Sequence, residues 1–285
     1  MRVALVFDRD REDTIGIYFQ RAFRHTRHRV DHFWLRDAAR IPDDYDLYFR
    51  IDHGDYRHDL PSRLRPRAFW VCDTHLEQSY KRIVRQAPRY DVVFCALREG
   101  AKRLRRRGVE ALWIPGAACD PELHRQLPLP RIYDVGFVGH DGGVPRKLYL
   151  QALRERYANS WIGQAPHLRL SEIYSQTKIG FNYAIRNETL TMRAFEVMAC
   201  GALLLSNPVD PEALTRLGAR AGEHFVVYRT PTELFGLIDR YLAHDREREA
   251  IAACGQQLAL SRHTYWHRLQ QMLPHLEALA EQTSK

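Results

Sequence analysis

The sequence predicts an α/β fold of two domains, each built around a parallel β-sheet. Short apolar runs alternate with longer stretches of helical periodicity, which is the pattern of βαβ units. Most of the apolar runs are continuous rather than alternating, as expected for strands covered on both faces. The length of 285 residues exceeds one ordinary doubly wound domain and suits two.

The first domain is assigned to residues 1–125. Residues 2–8 are an apolar run that ends in an acid, and Asp13 or Thr14 can cap the helix that follows. Further strands are expected at 30–35, 45–51, 68–71, 90–96 and 111–115, and further helices at 76–86 and 98–107. The proline-rich stretch 119–130 lacks periodicity and is the expected interdomain linker.

The second domain is assigned to residues 131–262. Its strands are expected at 133–139, 160–163, 178–184, 202–206 and 224–228, and its helices at 146–157, 171–176, 192–200, 210–217 and 230–244. Gly201 stands at the C′ position of the helix 192–200, and Thr230 precedes Glu233 with capping-box spacing. Two further helices are expected within residues 246–281.

Composition limits the class of protein. No apolar stretch reaches the roughly 18 to 20 residues that span a bilayer, and the N-terminal run lacks the length and cleavage site of a signal sequence. We therefore expect a cytoplasmic protein. The five cysteines form no CxxC pair or Cys/His ligand spacing, so we expect reduced thiols and no structural zinc. The net charge of +8 suits nucleic acid, an anionic membrane or phosphate-bearing small molecules as partners. The alternative is that the arginines form a solvated surface.

Two carboxylates, Glu188 and Glu196, enclose seven residues. Glu196 has the apolar neighbours Phe195 and Val197, and an acid in such a run usually has a specific partner. A carboxylate accepts hydrogen bonds from two vicinal hydroxyls, so the pair suits the diols of a ribose or a hexose. The alternative is two solvated acids, and it fits Glu188 better because Asn187 beside it is polar.

A glycine-rich loop, Gly139-His-Asp-Gly-Gly-Val-Pro-Arg146, opens the helix expected at 146–157. Backbone N–H groups of such a turn approach phosphate oxygens, and Arg146 or Lys147 would add a cation. Further candidates for the same ligand are Lys178 and Asn182, at the two ends of one strand, and Arg193. A plain surface turn is the alternative for the loop, and pairing with Glu196 three residues on is the alternative for Arg193.

Candidate catalytic residues in the first domain follow two expected strands. Asp52-His53 comes after the strand 45–51, and Asp73-Thr-His75 comes after the strand 68–71. The carboxyl ends of parallel strands are where ligands bind in open α/β sheets. A histidine beside an aspartate has the composition of a general base, although a loop histidine is more often simply solvated.

The stretch Arg193-Ala-Phe-Glu-Val-Met-Ala-Cys-Gly-Ala-Leu-Leu-Leu-Ser206 resembles the R-x-F-E-x-x-A-C-G-x-x-L-L segment of CgeB-like, group 1 glycosyltransferases, a family 4-like branch of the GT-B superfamily. Glu188 and Glu196 are similar to the E-x7-E element of retaining GT-B enzymes. Weaker similarities lie at 114–120, 133–139, 178–182 and 263–268. The resemblance therefore covers most of the second domain.

This resemblance implies a GT-B fold: two Rossmann-like domains facing a central cleft, with residues 263–285 crossing back to the first domain. It implies that the second domain binds a nucleoside-diphosphate sugar as donor substrate, with no tightly bound cofactor. Glu196 would bind the ribose hydroxyls, and Glu188 the sugar or the phosphate side. Arg146 and Lys178 would face the diphosphate. The acceptor would be a glycan, a protein or a small molecule, and the basic first domain suggests an anionic one.

The implied reaction needs no metal ion, because arginine, lysine and a helix N-terminus can stabilise the leaving diphosphate. A Glu pair that works as in retaining relatives would keep the anomeric configuration. Asp73, His75 or His53 acting as a base would invert it. Two other functions stay open at this point: a non-catalytic nucleotide or nucleic-acid binding protein, and a nucleotide-sugar epimerase of the same shape.

Overall fold

The computed structural model describes residues 1–10, 13–52, 54, 56–185 and 187–283. The chain divides into two compact units. Unit 1 contains Met1–Gly116 and Tyr265–Lys285, and unit 2 contains Ala117–Thr264. Each unit is built around one parallel sheet, as the alternation of strands and helices predicts.

Unit 1 has a six-stranded parallel sheet in the order β2-β1-β3-β4-β5-β6. Its strands are β1 (Arg2–Val6), β2 (Arg29–Phe33), β3 (Leu47–Ile51), β4 (Arg67–Val71), β5 (Val92–Cys95) and β6 (Ala111–Trp113), and its first helices are α1 (Ile15–Phe23), α2 (Glu77–Gln86) and α3 (Arg98–Arg105). The inner strands β3, β4 and β5 are buried at every residue, which is why they are continuous apolar runs in the sequence. The strand order reverses between β1 and β3, so their carboxyl ends form the expected ligand edge.

One charged residue of β3 is part of the core of unit 1. Arg50 is fully buried, and its Nη1 donates to Asp59 Oδ1 at 2.8 Å, to Gln86 Oε1 at 3.1 Å and to the Tyr90 hydroxyl at 3.1 Å. Its guanidinium also lies 4.3 Å from the centre of the Phe69 ring. A buried charge is tolerated only with such partners, and here they tie β3 to α2 and to the loop after β3.

Unit 2 has a five-stranded parallel sheet in the order β11-β10-β9-β7-β8. Its strands are β7 (Tyr133–Val138), β8 (Ser160–Gly163), β9 (Thr177–Asn182), β10 (Leu203–Ser206) and β11 (Val226–Val227), and its helices are α4 (Arg146–Arg156), α5 (Leu170–Ser175), α6 (Met192–Ala199), α7 (Pro211–Leu217), α8 (Pro231–Ala243) and α9 (Asp245–Arg262). The order reverses between β7 and β9. The loops that follow these two strands therefore flank the position where ligands bind in doubly wound sheets.

Helix α6 lies against the sheet of unit 2 because small residues allow a close approach. Ala194, Phe195 and Val197 are fully buried, so one face of α6 belongs to the core. Gly180 in β9 faces Val197, and α6 then ends where Gly201 adopts a φ of +72°. Glycine reaches this left-handed region without strain, which is why the helix stops there and β10 can begin.

The last helix, α10 (Tyr265–Thr283), belongs to unit 1. Its first residue, Tyr265, is buried, and its ring centre lies 4.9 Å from that of Tyr18 and 5.3 Å from that of Phe19 in α1. Aromatic packing of this kind fixes the start of α10 on α1. No helix in the described ranges has the length and apolar character needed to cross a membrane.

The stretch expected as a linker is instead folded into unit 2. Residues 119–127, called the strap below, run along α5. The backbone N–H of Arg125 donates to Ser171 Oγ at 3.1 Å, and that of Leu127 donates to Ser175 Oγ at 2.8 Å. The prolines remove periodicity from this stretch, but its backbone groups find side-chain partners and it packs as part of the unit.

Candidate functional site

The glycine-rich loop after β7 has the backbone that its sequence predicts. Gly139, Gly142 and Gly143 have φ values of +141°, +63° and +75°. A Cβ at Gly139 would lie 2.5 Å from Nη2 of Arg193, so only glycine allows the guanidinium to approach the end of β7. The loop leads into α4, whose N-terminal N–H groups favour an anion.

Two guanidinium groups share one aromatic ring at this edge. Arg193 Cζ lies 4.3 Å and Arg146 Cζ 5.8 Å from the centre of the buried Phe137 ring. Arg193 Nε donates to the Val138 carbonyl at 2.9 Å, and Arg146 Nε to the Asp141 carbonyl at 2.8 Å. Burial, and then the charge of Arg193, lower the pKa of Arg146. Like charges held together in this way favour binding of an anion between them.

The alternative of an ion pair between Arg193 and Glu196 is not seen among the described residues. The guanidinium of Arg193 points toward β7 and uses its Nε on the Val138 carbonyl. The physical reason is the cation–π contact with Phe137, which holds the guanidinium over β7. Arg193 is therefore brought together with Gly139 and Arg146 at the carboxyl end of β7.

Glu188 lies in the turn that leads from β9 into α6. Its Oε2 atom is buried and finds no hydrogen-bond partner within the described ranges. The neighbouring hydroxyl, Thr189 Oγ1, is also buried and has no partner there. Buried polar atoms are nearly always paired in folded proteins, and an exception at a ligand edge points to a missing ligand group. The sequence signalled Glu188 by its spacing but gave no signal for Thr189.

Glu196 is in α6, and its side chain is 12% exposed. Its Oε1 lies 3.9 Å from Nε2 of His124, which the strap supplies. The buried Tyr174 is nearby: burial raises the pKa of its hydroxyl, and the charge of Glu196 raises it further. The apolar setting inferred from the sequence is thus real, and the carboxylate in it has specific polar neighbours.

Asn182 has a structural role. It is fully buried at the carboxyl end of β9, its Nδ2 donates to Ser206 Oγ at 2.9 Å, and its Oδ1 accepts from Thr191 Oγ1 at 2.8 Å. Thr191 is the residue before the first turn of α6. Asn182 therefore fixes the start of α6, and both polar atoms of its side chain are used within the protein rather than offered to a ligand.

Lys178 is not brought together with the other candidates. It is the second residue of β9, so it lies near the amino end of the strand, about 13 Å from the carboxyl end at Asn182. Its Nζ forms an ion pair with Asp134 Oδ1 in β7 at 2.7 Å. The glycine-rich loop and the turn of Glu188 follow the opposite ends of the strands, which places Lys178 at the wrong edge for a ligand shared with them.

In unit 1, Asp52 anchors a cluster at the carboxyl ends of β3 and β4. The residue is 4% exposed. Its carboxylate accepts from the Tyr56 hydroxyl at 2.6 Å, the Gly54 N–H at 2.9 Å and the Cys72 N–H at 3.0 Å. These donors stabilise a charged carboxylate in a buried position. His53, the neighbouring catalytic candidate, lies outside the described residues.

Asp73 and His75 follow β4 in the same cluster. Burial, and then the charge of Asp52, raise the pKa of the Asp73 carboxyl, whereas His75 acts in the opposite direction. His75 Nδ1 is buried and has no hydrogen-bond partner in the part of the chain that is described. A carboxyl with a raised pKa beside a histidine is suited to proton transfer.

Within the described ranges, no three side chains of histidine, cysteine, aspartate or glutamate come together as a metal site. All five cysteines, each of which is described, are free thiols. The sequence also contains two Asp-x-Asp triplets, both in unit 1. One of them, Asp8 to Asp10, lies next to Arg36, and the other, Asp44 to Asp46, next to Arg2.

Solved structures share this fold over the whole chain. Anabaena HepE in complex with UDP and glucose is 11% identical, with 98% of this chain and 100% of that chain covered and a TM-score of 0.69. An alpha-glucosyltransferase in complex with UDP and a 13-mer DNA containing a HMU base is 11% identical, with 97% and 99% covered and a TM-score of 0.71. Sucrose-phosphate synthase from Thermosynechococcus elongatus is 13% identical, with 98% and 99% covered and a TM-score of 0.64. At such identities the similarity shows the fold alone, which is GT-B.

Sequence comparison adds the family. No curated protein matches the chain. The model of one family, described as glycosyl transferase-like, matches residues 129–274. This match includes the glycine-rich loop, the turn of Glu188 and the whole of α6. Because the matched residues make up more than half of the chain, the protein belongs to the glycosyl transferase-like family.

Proposed function

We propose that the protein transfers a sugar from a UDP-sugar to an anionic acceptor, as a CgeB-like member of its family. The observation that carries this proposal is the buried carboxylate oxygen of Glu188, which finds no partner in the described part of the chain. A charged oxygen withdrawn from water costs free energy until a donor satisfies it. Sugar hydroxyls are such donors, and Glu188 lies at the edge of the sheet where ligands of doubly wound folds bind.

Glu196 is proposed to bind the ribose of the donor nucleotide. Its spacing from Glu188 is that of the E-x7-E element, and its carboxylate lies in an apolar setting with a small exposed fraction. A carboxylate there can accept from both hydroxyls of a ribose. Uracil is the proposed base because Anabaena HepE and the alpha-glucosyltransferase, which share the fold, were solved with UDP.

The diphosphate is proposed to lie between the glycine-rich loop and the two guanidinium groups. Arg146 and Arg193 share the Phe137 ring, and each keeps N–H groups beyond the one bonded to a backbone carbonyl. Guanidinium groups bind phosphate oxygens in a fixed fork geometry. Together with the N-terminus of α4, they would stabilise the charge that develops on the leaving diphosphate, without a requirement for a metal ion.

Retention of configuration is the proposed outcome, in keeping with the Glu pair. The acceptor oxygen attacks the anomeric carbon on the face from which the diphosphate leaves. The bond from this carbon to the phosphate oxygen breaks, and the bond to the acceptor oxygen forms. The acceptor proton passes to the departing phosphate oxygen, so a nucleoside diphosphate and a glycoside are the products.

Inversion is the second candidate, and the raised pKa of Asp73 favours it. In that reaction Asp73 takes the acceptor proton as general base, with His75 beside it, and attack comes from the face opposite the leaving group. The two candidates differ in the product, so the anomeric configuration decides between them.

An anionic acceptor is proposed from the distribution of charge. Unit 1 contains 26 lysine and arginine residues and 19 aspartate and glutamate residues, whereas unit 2 contains 17 and 16. Nearly all of the net charge of +8 therefore belongs to unit 1. A basic surface attracts anionic partners over distances of about a Debye length, roughly 10 Å at 0.1 M salt.

A thermal-shift panel of UDP-, GDP-, ADP- and TDP-sugars tests the donor site. We expect a UDP-sugar to raise the melting temperature, as any ligand of the native state does. If none of the nucleotide-sugars stabilises the protein, the donor-site proposal fails.

The stereochemical outcome is tested with water in place of the unidentified acceptor, by following slow hydrolysis of the donor. Proton NMR of the fresh sugar shows retention or inversion, and conversion of the donor to another nucleotide-sugar would identify an epimerase.

Glu188→Gln tests the residue that carries the proposal. The amide keeps the shape but removes the charge, so we expect the hydrolysis rate to fall on the order of 100-fold, the scale of one lost transition-state contact. Glu155→Gln is the matched control, since Glu155 is exposed on α4 and its carboxylate accepts a hydrogen bond from Gln151 in the same helix. Equal hydrolysis rates for Glu188→Gln and Glu155→Gln would show that Glu188 is not part of the site.

A further inference from the structure

We propose that His124 is a positioning residue for Glu196, and that the strap exists to hold it in place. This inference rests on the proposed contact between Glu196 and the ribose hydroxyls. His124 Nε2 lies 3.9 Å from Glu196 Oε1, and both residues belong to unit 2. His124 is 2% exposed, so it acts from within the protein rather than on the ligand itself.

The backbone of the strap sets the tautomer of the His124 ring. Nδ1 accepts a hydrogen bond from the Asp120 N–H at 2.9 Å, so the proton of the neutral ring is on Nε2, the atom that faces Glu196. The His124 N–H donates to the Asp120 carbonyl at 2.6 Å, and Asp120 Oδ1 accepts from the Glu122 N–H at 3.1 Å. The ring orientation is therefore fixed by a tight turn.

Both sides of this turn are anchored to the rest of unit 2. Ser171 Oγ donates to the Leu123 carbonyl and accepts from the Arg125 N–H, so α5 holds the residues before and after His124. Farther upstream, the Cys119 N–H donates to the His263 carbonyl at 2.9 Å. A side chain with so little freedom can orient a neighbour at low entropic cost.

The contact of 3.9 Å is longer than a hydrogen bond and is electrostatic. It attracts one carboxylate oxygen of Glu196 and biases the side chain toward one orientation before the nucleotide arrives. A group that is oriented in advance loses less entropy on binding, so the nucleotide binds more tightly. The gain applies to the ribose hydroxyls that Glu196 accepts from and not to the rest of the nucleotide.

Two substitutions separate this role from a structural one. In His124→Asn, the amide oxygen can replace Nδ1 as the acceptor for the Asp120 N–H, but the shorter side chain brings no donor from position 124 to Glu196. In His124→Gln, the longer side chain places an amide N–H group near the position of Nε2. Titration calorimetry of both variants and the wild type with UDP and with 2′-deoxy-UDP measures the contribution of the ribose hydroxyl.

We expect the wild type to prefer UDP over 2′-deoxy-UDP. His124→Asn should lower the affinity for UDP roughly 3- to 10-fold, the range of one hydrogen-bond-scale contact, and leave that for 2′-deoxy-UDP unchanged. His124→Gln should stay within about twofold of the wild type for both ligands, because it restores the donor.

Several results overturn the inference. One is an equal loss for both ligands in His124→Asn, which a structural role produces, and another is an unchanged affinity for UDP. A wild type that binds both ligands equally also overturns it. If His124→Asn does not fold, folded His124→Gln provides the test instead. A loss of its preference for UDP over 2′-deoxy-UDP would then overturn the inference. A wild type that binds no nucleoside diphosphate refutes the proposed function and this inference together. A wild type that binds both ligands equally refutes the proposed ribose contact of Glu196 but not the donor site as a whole, whereas the results for the two variants leave the proposed function intact.

Discussion

Gly180 in β9 and Val197 in α6 are in such close contact that a Cβ on residue 180 would lie 2.4 Å from Val197 Cγ1. Both residues are in the core of unit 2, and Val197 directly follows Glu196. The absence of a side chain at position 180 therefore sets the distance between the sheet and the helix that carries Glu196 and Arg193.

Gly180→Ala should consequently displace α6 and destabilise the protein. An added methyl group in a packed core costs about 1–3 kcal/mol. Because α6 carries two of the proposed donor-binding residues, we expect weaker UDP binding as well. Chemical denaturation measures the free energy of unfolding, and calorimetry measures the dissociation constant for UDP.

Gly163→Ala is the control for this substitution. Gly163 also lies in a strand of unit 2, but a Cβ there would meet only Trp161, at 3.8 Å. We expect wild-type stability and binding for this variant. A Gly180→Ala protein as stable as Gly163→Ala would show that the spacing between α6 and the sheet is adaptable.

Asp59→Asn tests the buried charge network of unit 1. The side chains of Arg50 and Asp59 are 1% and 11% exposed, and their charged atoms are 2.8 Å apart. Removing the negative charge leaves the arginine poorly compensated in the core, which costs about 3–5 kcal/mol. Chemical denaturation of the variant should show this loss of unfolding free energy.

Asp44→Asn breaks the exposed ion pair with Arg2 in the same unit and serves as the reference. Those side chains are 62% and 40% exposed, so solvent screens the pair and we expect the free energy of unfolding to stay close to that of the wild type. If Asp59→Asn and Asp44→Asn lost similar amounts of unfolding free energy, the burial of Arg50 would not be the reason that Asp59 stabilises the protein.

The sequence is sufficient to predict the strands, the helices and the two parallel sheets, because continuous apolar runs and capping residues are local signals. It also predicts the glycine-rich turn after β7, because Gly139, Gly142 and Gly143 adopt positive φ values that other residues reach only with strain. The position of Lys178 could also have been inferred from the sequence. It precedes an apolar strand, which indicates the amino edge of a parallel sheet. The hypothesis that it faces a diphosphate overlooked this direction.

Other features depend on contacts between distant parts of the chain and have no local signal. Asn182 is held by Ser206 and Thr191, which only the order of the strands brings to it. His124 lies in a stretch whose prolines suggest a linker. Its position beside Glu196 depends on hydrogen bonds from Ser171 that no spacing reveals.

Asp73→Asn should stabilise the protein at neutral pH while impairing activity if Asp73 is a base. Burial, and then the charge of Asp52, raise the pKa of Asp73 above its ordinary value of 3.8, so the folded state binds a proton more readily than the unfolded state. Stability therefore falls as the pH rises from that ordinary value through the raised one, and above both values the charged carboxylate opposes folding.

The Asp73→Asn variant has no carboxyl group at position 73 and therefore lacks this pH dependence. Its melting temperature should exceed that of the wild type at pH 7, and the difference should vanish as the pH falls below about 3.8, where the wild-type carboxyl is protonated in both states. Scanning fluorimetry across this range measures the effect. A difference that grows toward acid pH would contradict the assigned direction of the shift.

Arg193→Lys keeps the positive charge but changes its geometry. The guanidinium carbon of Arg193 lies 4.3 Å from the centre of the Phe137 ring while its Nε donates to the Val138 carbonyl at 2.9 Å. An ammonium group has no planar face for the ring and no fixed fork for phosphate. We expect the affinity for UDP to fall about 10-fold, which corresponds to about 1.4 kcal/mol.

The loss should be confined to ligands that carry the diphosphate. Uridine, tested by competition against a labelled UDP-sugar, should bind Arg193→Lys as it binds the wild type, because the base and ribose do not reach the guanidinium in the proposed arrangement. Arg169→Lys is the control, since Arg169 is exposed and pairs with Glu172. An equal loss for UDP and uridine would instead mean that Arg193 supports the shape of the site, through Phe137 and β7, and not the diphosphate.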